Sequence, residues 1–255
     1  MNPVLVENLG RVCRIEIVRP DKKNALTLAM YAAIADALAA AEDDAGVRAI
    51  LIHGRPDCFC SGNDLRDFLE RPVHDDDSPA WRFLRTIAAM RKPLVAAVGG
   101  PAIGIGTTLL LHCDLVYATP AARFQLPFVP LGLVPEAGSS LLLPRLAGYQ
   151  RAAELLLLGR PFGAEKAFAA GIVTEIIAEG ELLEYGRDAA LGLAALPPAS
   201  LRLTKELMKR PQREAVAAQM TEELRLFGTR LGSPEAREAM NAFFEKRQPD
   251  FSKFE

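Results

Sequence analysis

Nothing in this 255-residue chain offers a long apolar run, a surplus of one charge or a cysteine framework, and each absence removes a class of protein. The longest apolar stretches, around Leu109 to Leu111 and Leu155 to Leu158, fall far short of the roughly 20 residues a bilayer-spanning helix needs. Lys and Arg total 30 against 32 Asp and Glu, a formal charge of −2, so neither nucleic acid nor an anionic membrane is attracted by the chain as a whole. An anionic ligand must then be held by local cations. The low aromatic content, 7%, also argues against an RNA-binding surface. Four cysteines are too few and too irregularly placed for a disulfide framework, and Cys58-x-Cys60 lacks the spacing of a zinc site. Reduced, buried thiols and no metal are expected. Met1-Asn2-Pro3-Val4 lacks the basic-then-apolar layout of a secretory signal, and Ser252-Lys253-Phe254-Glu255 is not a peroxisomal ending, so a soluble, cytoplasmic protein is the expectation.

What is present is an α/β pattern. Half of the residues are apolar, enough for a sizeable core. Val12 to Val18 alternates apolar and polar residues as a half-exposed strand does. Val47 to Ile52, Leu94 to Val98, Leu115 to Tyr117 and Ile172 to Ile177 read as buried strands. Helical patterns lie between them: Thr27 to Glu42 with Thr27 as N-cap, Pro79 to Met90, Gly106 to His112, Gly138 to Leu146 and Tyr149 to Leu158. After about Glu179 only helical patterns follow, and Met208, Met220, Leu224, Phe227, Met240 and Phe243 predict a core or subunit interface there. Leu69 to Ser78, with Pro72 and three consecutive aspartates, reads as a flap.

Three segments can carry chemistry. In Phe59-Cys60-Ser61-Gly62-Asn63-Asp64-Leu65, Gly62 permits an unusual backbone angle and Asp64 can cap a short helix, which would aim the Asn63 N–H outward. An ordinary strand-to-helix turn accounts for the same residues. In the second segment, Gly104-Ile105-Gly106 opens a helix whose first N–H groups have no intrahelical partner and suit an oxyanion. Dinucleotide and P-loop readings fail, because the third glycine of G-x-G-x-x-G and any Gly-Lys-Ser/Thr are missing. The third segment, Val134-Pro135-Glu136-Ala137-Gly138, places Glu136 just before a helix. It is either a solvated first-turn glutamate or, given the rim of Leu126, Phe128, Leu131, Leu133 and Val134, a carboxylate raised in pKa towards useful basicity.

These segments, in this order and spacing, resemble the crotonase (enoyl-CoA hydratase/isomerase) superfamily. The likeness runs from Arg19-Pro20-Asp21-Lys22-Lys23-Asn24-Ala25-Leu26 through Lys92-Pro93-Leu94-Val95-Ala96-Ala97-Val98 to Ala242-Phe243-Phe244-Glu245-Lys246-Arg247. The resemblance implies an α/β fold, a crotonase-like spiral of ββα units, with residues 1–195 as core and 196–255 as a helical region for oligomerisation into a trimer or a dimer of trimers. It also implies an acyl-CoA thioester as substrate and no cofactor, since coenzyme A belongs to the substrate.

Within the superfamily the chain departs from the hydratases. Their two glutamate positions are occupied here by Thr108 and Phe128, whereas Glu136 stands in a turn where hydratases carry glycine. That placement is similar to the Δ3,Δ2-enoyl-CoA isomerases of the peroxisomal type. Carried over, Glu136 is the base, and the N–H groups of Asn63 and Ile105 form the oxyanion hole. Lys23, Ser61, Gly62, Asp64, Leu65, Gly104, Phe128, Phe243 and Lys246 contact substrate or coenzyme A, and the acyl chain runs between the flap, the Trp81 to Met90 helix and Phe128. The alternatives are an enoyl-CoA hydratase, a non-catalytic acyl-CoA-binding protein, and a Clp-type protease using His112, Asp114 and Ser139 or Ser140.

Overall fold

A computed structural model describes residues 2–64, 67 and 78–254. Leu65 and the stretch 69–77 of the expected flap lie outside the described residues.

The main sheet has six strands: β1 (Val4–Leu9), β2 (Val12–Ile17), β3 (Ala49–His53), β4 (Leu94–Val98), β6 (Leu115–Ala118) and β9 (Glu175–Ile176), in the spatial order β1-β2-β3-β4-β6-β9. β1 runs antiparallel to β2 at one edge, and the other pairs are parallel, with Ile50 opposite Leu94 and Val95 opposite Leu115. Every residue of β3 and β4 is buried. This is why both strands read as unbroken apolar runs: parallel sheets are covered on both faces.

Successive side chains of a strand point to opposite faces, and here each face has its own core. Ile50 and Ile52 pack with α1 (Leu28–Asp43) and α2 (Pro79–Ala89), whereas Ala49 and Leu51 pack with α7 (Leu182–Ala195). Thr27 caps α1 by accepting from the Met30 N–H at 3.3 Å, as its position before the apolar-periodic stretch predicts. Ser78 and Pro79 start α2 in the same way, with Ser78 accepting from the Trp81 N–H.

A second, three-stranded sheet joins β5 (Pro101–Ile103), β7 (Arg123–Gln125) and β8 (Phe162–Gly163). It was not anticipated, nor was β1. Two- and three-residue strands carry no periodicity, and β1 is an edge strand with only Val4 buried. The short helix α6 (Ala164–Ala169) was missed for the same lack of length. The expected Gly106–His112 helix is α3 (Ile105–Thr108) continuing as a 3-10 turn, Leu109–His112.

After Ile176 the described chain is helical, as expected: α7, α8 (Pro198–Lys209), α9 (Arg213–Leu231) and α10 (Pro234–Glu245), with a 3-10 turn between α8 and α9. Met220, Phe227 and Met240 enter the main core, and Leu224 packs partly against it. Met208 and Phe243 stay on the surface, 65% and 60% exposed. Among the described residues no helix is long and apolar enough to cross a membrane. All four cysteines are free thiols; Cys13, Cys58 and Cys60 are buried and Cys113 is half-buried.

Candidate active site

Two backbone segments meet where β3 and β4 end. After β3 the chain turns back so tightly that a Cβ on Gly54 would lie 2.4 Å from the Cys58 carbonyl oxygen. It then pairs Cys60 with Ala102 of β5, and Asn63 with Leu26. The Leu26 N–H donates to the Gly62 carbonyl at 2.8 Å, and the Asp64 N–H donates to the Leu26 carbonyl at 2.8 Å. In such a parallel bridge the intervening Asn63 N–H points to the other side. The Asn63 side chain is pinned by the Tyr31 hydroxyl, which donates to its Oδ1 at 2.5 Å.

The second segment lies alongside, since a Cβ on Gly62 would stand 3.1 Å from the Ile103 carbonyl oxygen. Gly104, at φ 55° and ψ −119°, takes a conformation open essentially to glycine alone. Its N–H donates to the Gln125 carbonyl, and its own carbonyl accepts from Thr107 and Thr108. Ile105 is therefore the first residue of α3, with an N–H that the helix cannot satisfy. Its side chain, 2% exposed, is packed in the main core, so only the amide faces the site. Among the described residues no acceptor meets the N–H of Asn63 or of Ile105.

Glu136 comes from the turn before α4 (Ser139–Ala147). Ala137 and Gly138 both adopt positive φ, 62° and 72°; the alanine is strained there and the glycine is not, and two buried side chains hold the pair. His112, which burial keeps neutral with a pKa of about 4, donates from Nε2 to the Ala137 carbonyl at 2.7 Å. Glu223 of α9 accepts from the Gly138 N–H at 2.6 Å, the Ser140 N–H at 3.0 Å and the Ser140 hydroxyl. Three donors at the start of a helix satisfy that buried carboxylate and lock the turn.

The Glu136 side chain thereby enters a narrow cavity of about 40 Å³, whose wall includes Tyr31, Asn63, Trp81, Met220 and Phe227. Its Oε1 accepts from the Thr108 hydroxyl at 2.5 Å. Burial raises its pKa to about 8, against the opposing pull of the Thr108 hydrogen bond, and the nearby Glu223 carboxylate adds to the rise. Of the described residues lining this cavity, Glu136 is the one acid.

The description "Enoyl-CoA hydratase/isomerase" belongs to the family model that matches residues 7–253. The chain belongs to this family. Over 250 residues it is 37% identical to enoyl-CoA delta isomerase 2 of Rattus norvegicus, covering 96% of this chain but only 64% of that longer protein. Over 255 residues it is 33% identical to 2,3-dehydroadipyl-CoA hydratase of Escherichia coli, covering 98% of this chain and 99% of that one. The crystal structure of an enoyl-CoA hydratase/isomerase from Pseudoalteromonas atlantica superposes with a TM-score of 0.94 at 43% identity, covering 98% of this chain and 100% of that one. The fold is thus the crotonase fold that the motifs imply.

Against the family pattern, the two hydratase glutamate positions have different fates. Thr108 stands beside Glu136 and hydrogen-bonds to it, whereas Phe128 is a core residue, 5% exposed, and does not line the Glu136 cavity. Lys23 lies next to the Ser61–Asp64 loop: its carbonyl accepts from the Ser61 N–H at 3.1 Å while its side chain is exposed. Asp64 pairs with Arg19 at 2.7 Å and accepts from the Asp67 N–H at 3.4 Å, a capping contact. Phe243 and Lys246 are exposed at the end of α10 and do not line the cavity.

No protease triad is assembled. His112 bonds to Ala137, Asp114 accepts from the Leu94 N–H and pairs with Lys205, Ser139 donates to the Glu136 carbonyl, and Ser140 donates to Glu223. Sequence reasoning did not single out Tyr31 or Glu223, nor the pairing of Thr108 with Glu136. Glu223 left a signal: it shares the buried face of α9 with Met220, Phe227 and Leu231, where an acid needs a partner.

Thr108 has a testable role. Its hydroxyl favours the ionised form of Glu136, so Thr108→Val is expected to move the pKa of that carboxyl upward and, if Glu136 works as a base, to lower turnover at neutral pH. The pH profile of kcat/KM checks this; a profile unmoved by the substitution would refute the role.

Proposed function

We propose that this enzyme shifts the double bond of a 3-enoyl-CoA to give the conjugated 2-enoyl-CoA. The observation that carries the reading is a single carboxylate among the described residues lining the Glu136 cavity, bonded to a threonine at a position where hydratases have a glutamate. Hydration needs two acid/base groups to orient and activate water. Isomerisation needs one, because the proton leaving C2 can be returned to C4 by the group that took it.

In the proposed cycle the thioester oxygen accepts from the N–H groups of Asn63 and Ile105. Ionised Glu136 removes a proton from C2, and the electrons move into a dienolate whose negative charge lies largely on that oxygen. The glutamic acid then protonates C4, restoring its carboxylate and leaving the double bond between C2 and C3. Each amide donor stabilises the dienolate by about 3 kcal/mol, because it is fixed beforehand in a site with little water. Lys23 and the Ser61–Asp64 loop take the coenzyme A arm on this reading.

The purified protein, offered 3-enoyl-CoA and 2-enoyl-CoA side by side, is expected to convert the first to the second and to add water to neither. Formation of 3-hydroxyacyl-CoA at a comparable rate would overturn the proposal.

A further inference from the structure

Next to the Glu136 cavity lies a larger one, about 360 Å³, bounded by α2, α8, α9 and the Leu109–His112 turn and open to solvent on one side. Its volume falls within the range of about 300 to 1,000 Å³ usual for small-molecule sites. Trp81 and Met220 line both cavities and form the partition between them. Part of its lining is apolar, with Ala88, Leu111, Leu142 and Val216, which suits a methylene chain.

The rim does not suit a methyl end. Among the described residues, six cations line this cavity against one acid, Glu206. Two have acids of their own: Lys205 pairs with Asp114 at 2.6 Å and Arg91 with Glu42 at 2.9 Å. Arg85 stacks over the Trp81 ring at 5.5 Å. For Arg202, Lys209 and Arg213, no carboxylate among the described residues stands within salt-bridge distance. Lys209 is the half-buried one of the three; its ammonium has the His112 carbonyl at 3.1 Å, a neutral partner, with Lys205 as a like-charged neighbour and Asp114 as a nearby carboxylate that Lys205 already holds at 2.6 Å. An ammonium drawn out of water without a carboxylate of its own gains from an anion that a ligand supplies.

We propose that this second cavity receives the far end of the acyl chain and selects substrates that end in a carboxylate, with Lys209, Arg202 and Arg213 as its receptors. The thioester end is fixed at Asn63 and Ile105, and the coenzyme A arm leaves past Lys23, so the chain beyond C4 is directed towards Trp81 and Met220. This inference deepens the proposed function and rests on it for the direction of the bound thioester.

The test uses saturated acyl-CoA ligands, which neither isomerise nor hydrate, so binding is read whether or not the isomerase reading holds. Calorimetry compares thioesters ending in carboxylate with those ending in methyl, over a series of chain lengths, with free coenzyme A as a third ligand. At the length that reaches the rim, the carboxylate form is expected to bind about tenfold or more tightly, and Lys209→Met and Arg213→Gln are each expected to narrow that gap. Lys209→Arg, which keeps the charge, should retain most of it. Equal or weaker binding of the carboxylate form at every length overturns the proposal, as does a gap that survives both variants. A loss of free coenzyme A affinity in Lys209→Met as large as that of the carboxylate ligand also overturns it, because the cations would then be serving the nucleotide phosphates.

Discussion

Glu136→Gln is expected to lower kcat for double-bond migration by about 10² to 10⁴-fold while KM changes little. The amide has the shape of the carboxylate, and its oxygen can still accept from the Thr108 hydroxyl, so the turn and the cavity persist. What disappears is the ability to take a proton from C2. The oxyanion amides and the binding contacts remain, and they set the residual rate. Assaying conjugated enoyl thioester formation against substrate concentration separates the two parameters. A variant retaining more than about a tenth of kcat would place the base elsewhere.

The second large effect is on pH. A base works only when ionised, and burial has raised the pKa of Glu136 from its ordinary value of 4.5 to about 8. The sign follows directly: kcat/KM rises with pH through that value and levels off above it. Since about 1% of the carboxylate is ionised at about pH 6 and half at its pKa, the increase between them is about 50-fold. An exposed glutamate would instead give a flat profile over the same interval. A flat or falling profile from about pH 6 to about 8 would show that the cavity does not desolvate Glu136 in solution.

The raised pKa is useful as well as costly. A carboxylate in water is too weak a base for a carbon-bound proton, whereas one titrating near the working pH keeps basicity and a usable ionised fraction together. The structure sustains this through its supports. Glu223 and His112 hold the two positive-φ residues after Glu136, and Thr108 supplies a hydrogen bond that steadies the charge. Glu223 is itself a buried acid, yet three donors at the start of α4 accept its charge, so its part is to position.

The chain's local pattern was enough for the parallel strands β3 and β4, because strands covered on both faces must be apolar throughout. It was enough for the cap at Thr27 and for the glycine at position 104, where no other residue adopts the backbone angle at low cost. The motif order also named Glu136, Asn63 and Ile105 as parts of one site, the arrangement on which the proposed function rests. The tertiary structure alone decided that Phe128 is core rather than cavity wall, that Thr108 faces Glu136, and that an acid 87 residues downstream of Glu136 locks its turn. It also decided that cations from α2, α8 and α9 ring one cavity. Local sequence reports backbone preference and the burial period of each element, which act over a few residues. Which side chains converge across elements depends on how helices from distant parts of the chain pack together, and desolvation, the force that sets the chemistry of Glu136, exists only after they have done so.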